Sequence, residues 1–99
     1  MADELNLLAS AQKSFVDYLR SQKRSISTIL AYGKDIDQLV EFLEAKKITQ
    51  TSTVESQYLE EFKEGLSKKG YTLKSISRKL NSLKTFFKFL KSQGAIEND

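Results

Sequence analysis

Eight of the sixteen basic side chains in this chain fall between Gly65 and Ile96, a stretch without a single acid: Lys68, Lys69, Lys74, Arg78, Lys79, Lys84, Lys88 and Lys91. A second acid-free stretch, Tyr18 to Lys34, carries Arg20, Lys23, Arg24 and Lys34. Between Asp35 and Glu64 the sign reverses, with eight acids against Lys46, Lys47 and Lys63. The formal net charge of +3 averages this segregation away. Ammonium and guanidinium groups gathered without carboxylates make a one-sided positive field, and the chemistry such a field serves is contact with phosphates of a polyanion. The plain alternative is a Lys-rich helix surface that serves solubility alone.

Other chemistry is excluded by residue type. With no cysteine there is no disulfide framework, thiolate metal site or thiol nucleophile. With no histidine the usual general base near neutral pH is missing. No cofactor or metal is expected. Ninety-nine residues allow one domain, which at this size buries roughly 65% of its unfolded surface. Apolar content of 39% and ten aromatics point to a folded chain. Met1 to Asn6 has neither a basic n-region nor an apolar h-region, so no signal peptide is expected. No apolar run approaches the ~20 residues of a membrane span. A soluble, intracellular protein with no membrane partner is expected.

The basic residues need a scaffold, and the composition predicts helices. There is no proline, and only four glycines interrupt the chain. Leu8, Ala11, Phe15 and Leu19 recur at helical spacing and predict a first helix from Asn6 or Ser10 to Gln22. Ile29, Tyr32, Ile36, Leu39, Val40 and Leu43 define a second, Ile26 to Lys46, with Ser25 as its N-cap and Gly33 packed against a neighbouring helix. Ser52 and Glu55 have the form of a capping box for a third helix that runs to Lys68 and buries Leu59, Phe62 and Leu66. Gly70 stops it. Thr72 caps a fourth, Leu73 to Gln93, whose buried stripe reads Ile76, Leu80, Leu83, Phe87 and Leu90, widened by Phe86. Phe89 falls on its polar side. Gly94 ends it, and Ala95 and Ile96 fold back. No β-strand is expected.

Opposite the fourth helix's apolar stripe lie Lys74, Arg78, Asn81 and Thr85, with Ser75, Ser77 and Ser82 at the margins. Cations there can meet phosphates, and Asn81 or Arg78 can meet base edges. At the start of the second helix Ser25, Ser27 and Thr28 follow Lys23 and Arg24. Hydroxyls and free amides at a helix N-terminus suit a phosphate. Capping alone accounts for Ser25 and for part of Ser27 and Thr28.

The stretch Ser25-Ile26-Ser27-Thr28-Ile29-Leu30-Ala31-Tyr32-Gly33-Lys34-Asp35-Ile36 resembles the Ser-x-x-Thr-x-x-x-Tyr-x-x-Asp-Leu segment of the tyrosine recombinases, or phage integrases. The run from Ser77 to Leu90 is similar to their Arg-x-Leu-Ser-x-Leu-Arg-x-Phe-Phe-x-Tyr-Leu helix. The order and separation of the two, with a first helix ending Phe15-x-x-Tyr18-Leu19, extend the resemblance over Ser10 to Ile96. It implies an all-α, four-helix SAM-like orthogonal bundle, the N-terminal core-binding domain of that family. Residues 1–9 would be an N-terminal tail and 97–99 the start of an interdomain linker.

In that family the domain clamps one face of double-stranded DNA while a C-terminal catalytic domain of the same protein closes the other. Carried over by position, this implicates Ser25, Ser27, Thr28 and Lys34, then Lys74, Ser77, Arg78 and Asn81, and the charge pattern adds the cations Lys23, Arg24 and Lys79. Asn81 and Ser82 stand where the family usually has Ser and a small residue. Lys84 stands where Arg is frequent, a point charge in place of a fork. The family's catalytic Arg–Lys–His–Arg set and tyrosine nucleophile belong to the C-terminal domain, and Tyr18, Tyr32, Tyr58 and Tyr71 lack that surrounding. The resemblance thus implies a non-catalytic module, a monomer in isolation, from a cytoplasmic recombinase of bacterial or phage origin. The rival is a helical protein-interaction module whose Lys-rich face binds an acidic protein.

Overall fold

The computed structural model describes residues 5–96. The expected linker at 97–99 and the first four residues lie outside them. The described residues form α1 (Leu8–Ser21), α2 (Ile26–Ala45), a 3-10 turn (Thr51–Thr53), α3 (Ser56–Lys68) and α4 (Leu73–Ser92). No strand occurs among them, only an isolated antiparallel bridge between Leu7 and Gln50.

Local chemistry sets most of the helix limits. The Ser25 hydroxyl accepts the Thr28 amide at 3.1 Å, and Thr72 accepts that of Ser75 at the same distance. Each satisfies a donor that the helix cannot. Gly70 (φ 92°) and Gly94 (φ 77°) turn the chain left-handed after α3 and α4. A Cβ at Gly33 would stand 3.5 Å from Val16, in ordinary contact with α1. The Ser52–Glu55 capping box does not form. Ser52 belongs to the 3-10 turn, and Glu55 is itself the N-cap of α3 with no side-chain bond.

Phe15 stands where α1, α2 and α4 meet. Its ring is 5.3 Å from Phe86, edge-on, 5.5 Å from Phe89 and 6.3 Å from Tyr32. Tyr18 covers Phe89 at 4.9 Å. On the other side Phe62 of α3 packs against Phe42 of α2 at 5.3 Å.

Two expectations are corrected here. Phe89 is buried, not on a polar side, and Leu80 and Phe87 are only half-buried. The stripe that faces the core is Ile76, Lys79, Ser82, Leu83, Phe86, Phe89 and Leu90. Both stripes obey helical spacing and share Ile76, Leu83 and Leu90, so they differ by a small rotation of the helix about its axis. The core also takes in residues at the start of the described segment. Leu5 and Leu8 are buried, the Thr51 hydroxyl donates to the Leu5 carbonyl at 2.8 Å, and the Leu8 amide donates to Thr49 at 2.8 Å.

Candidate nucleic-acid interface

α2 and α4 are joined through one carboxylate. Asp35 is 1% exposed, and four donors reach it. Oδ2 accepts from Arg78 Nη1 at 2.7 Å and from the Ser82 hydroxyl at 2.6 Å. Oδ1 accepts from Arg78 Nη2 and from Lys79 Nζ, both at 3.1 Å. A carboxylate offers about four lone-pair sites, and here each is used. Lys79 completes its own set by donating to Gln38 at 2.8 Å and standing 5.1 Å over the Tyr71 ring. Gln38 donates in turn to the Tyr71 hydroxyl at 3.2 Å. Burial alone would push the Asp35 carboxyl up. Bonds from Ser82, Lys79 and Arg78, with the charge of Lys79, outweigh that and hold it below the ordinary value of 3.8.

This hub fixes how the two basic segments lie. Asp35 sits one residue beyond Lys34 on α2, and Arg78 and Ser82 flank Asn81 on α4. Lys34, Lys74, Ser77 and Asn81 are exposed, and the Arg78 side chain is half exposed at 51% although its guanidinium ends on Asp35. α4 carries no carboxylate, and α2 has none before the buried Asp35. At the start of α2, Lys23, Arg24, Ser25 and Ser27 are exposed and Thr28 half-buried. The Ser25 hydroxyl also donates to Thr28 Oγ1 at 2.8 Å, so capping occupies both of these side chains.

Two residues expected on or beside the outward face are not there. Lys79 is 7% exposed, and its ammonium is committed to Asp35, Gln38 and Tyr71. Ser82, expected at the margin of the outward face, is buried as well. Sequence reasoning gave Asp35 no role. The signal was present: Asp35 lies three residues after Tyr32 and four before Leu39, inside the apolar arc of α2. An acid there needs donors from a facing helix, and Arg78, Lys79 and Ser82 repeat at helical spacing on α4.

The bundle closely follows a solved one, the N-terminal domain of a phage integrase/site-specific recombinase (tnp) from Haloarcula marismortui. The TM-score is 0.88 over 95% of this chain and 89% of that one, at 15% identity. That likeness defines the class of fold, a four-helix SAM-like bundle. Residues 13–94 match the family model of the phage integrase N-terminal SAM-like domain, and the chain belongs to this family. Among curated proteins it is similar to tyrosine recombinase XerC of Anoxybacillus flavithermus, 36% identical over 77 residues (77% of this chain, 26% of that protein). It is also similar to XerC of Oceanobacillus iheyensis, 27% identical over 96 residues (96% of this chain, 32% of that protein). The chain therefore spans about a quarter to a third of the relatives it matches. Among the described residues, no helix is long and apolar enough to cross a membrane.

Proposed function

We propose that this chain is the DNA-binding module of a cytoplasmic site-specific tyrosine recombinase, holding one face of a duplex half-site while a separate catalytic domain performs strand cleavage. In this reading the module makes no covalent bond to DNA and is a monomer on its own. The observation that carries the proposal is the face made by α4 and the first half of α2. It presents cations, hydroxyls and an amide, and the one acid at its base, Asp35, is buried and fully paired. Phosphates need the cations, and base edges need the directional donors Asn81 and Arg78.

Five exposed cations belong to this surface: Lys23, Arg24, Lys34, Lys74 and Arg78. Each neutralised phosphate contributes about −0.9 to the log–log salt dependence, so duplex binding should show a slope near −4.5. Affinity should lie roughly in the 10⁻⁴ to 10⁻⁶ M range of non-specific contact. Fluorescence anisotropy with a labelled 20-base-pair duplex, read over a salt series, tests this. Lys34→Glu with Lys74→Glu should weaken binding more than tenfold and flatten the slope. Lys46→Glu with Lys47→Glu, at the far end of α2, should leave both nearly unchanged. Absence of duplex binding by the wild type, with capture of an acidic protein instead, would favour the interaction-module reading.

A further inference from the structure

Resting on the DNA-binding reading above, we infer that Asp35 is a positioning residue: it holds the Arg78 guanidinium so that one fixed edge points outward to grip a pair of adjacent acceptors on DNA. Asp35 takes one from each terminal nitrogen of Arg78, Nη1 at 2.7 Å and Nη2 at 3.1 Å. A guanidinium has five N–H groups in a rigid plane. Contact at its end leaves the side edge, Nε–H and the outer Nη2–H, with two parallel donors. Among the described residues, no acceptor engages Nε, and half of the side chain is open to solvent.

The carboxylate is itself immobilised. Lys79 and Ser82 hold it from α4, and it is 1% exposed. Rotating the guanidinium would break two charged hydrogen bonds to a buried acceptor. Two cations share the single carboxylate, so the cluster keeps one net positive charge, and Lys79 is the buried member. The surplus charge therefore faces outward with a set direction. An arginine used only for its charge needs no such support, because exposed Lys74 supplies the same charge without it. A fixed fork suits a phosphodiester's two oxygens or the O6 and N7 of guanine, which present the same acceptor pair.

The test follows the Arg78 Nε–Hε resonance in ¹⁵N-labelled protein during titration with a 20-base-pair duplex. That resonance should shift together with the backbone amides of Lys34 and Lys74. Arg78→Lys should weaken binding about tenfold with the salt slope unchanged, because charge is kept and the fork is lost. In an Asp35→Asn background, the same Arg78→Lys change should cost less than twofold. A bound-fraction sequencing experiment on random duplexes separates the two acceptors. Loss of preference at one base pair in Arg78→Lys identifies guanine, and uniform weakening identifies phosphate. The inference is overturned if the Nε–Hε signal stays still while the Lys34 and Lys74 amides move. It is equally overturned if Arg78→Lys binds like wild type, or if the Asp35 and Arg78 effects simply add. No shift anywhere would defeat the DNA-binding reading itself, and this inference with it.

Discussion

Two ion-pair sites between helices can be compared among the described residues. At the acidic side Lys46, just past the end of α2, meets Glu61 of α3 at 2.7 Å, with side chains 39% and 46% exposed. Beneath the basic face, Asp35 meets Arg78 at 2.7 Å and Lys79 at 3.1 Å, with the carboxylate 1% exposed. Length does not distinguish them. Surroundings do. Water and salt screen the first pair, and exposed pairs of that kind contribute about 0–1 kcal/mol. At the second, the carboxylate and Lys79 are cut off from water while the Arg78 side chain stays half exposed, and the carboxylate is solvated by its donors. A buried pair is not a large net source of stability, because desolvating the charges cancels much of their attraction. It is instead costly to break, and so it enforces one arrangement of α2 against α4.

The contrast can be broken by mutation. Asp35→Ala, which leaves the buried Lys79 ammonium without its carboxylate, should destabilise the fold by about 3–5 kcal/mol in urea unfolding. A loss below about 1 kcal/mol would erase the distinction between the sites. A smaller effect should appear in acid. The folded pKa of Asp35 lies below its ordinary 3.8, so its contribution is present above that value and is lost as pH falls through the folded one. Unfolding free energy should therefore drop below about pH 4 more steeply in wild type than in Asp35→Asn. The smallest effect belongs to the exposed pair: Glu61→Gln should stay within about 0.5 kcal/mol. If Glu61→Gln cost as much as Asp35→Ala, burial would not be what ranks them.

The same contrast explains what could be read from the sequence. Helix number, the Ser25 and Thr72 caps and the stops at Gly70 and Gly94 are local signals, and the structure contains them all. The Leu8–Ala11–Phe15–Leu19 stripe is regular and apolar, and it is buried as expected. α4 was harder. Its core stripe includes Lys79 and Ser82, so an apolar pattern alone favours the neighbouring stripe through Leu80 and Phe87. The true phase depends on Asp35, forty-four residues from Lys79 along the chain. Periodicity within one helix contains no information about a partner on another. The capping box failed for a related reason. Thr51 is drawn into the core by its bond to the Leu5 carbonyl, which winds residues 51–53 into a 3-10 turn and moves the start of α3 to Ser56. Of the expected interface, ten residues remain at least partly exposed on or beside the α2–α4 face, and Lys79 moved into its foundation.

The central claim is that the face supported by Asp35 is the one that meets duplex DNA. Backbone amide shift mapping of the ¹⁵N-labelled chain against a 20-base-pair duplex at low salt tests it most directly. The account predicts perturbations in two segments, Lys23 to Lys34 and Lys74 to Asn81, with α3 silent. Shifts concentrated on Glu60, Glu61 and Glu64 of α3, with those two segments unmoved, would contradict it.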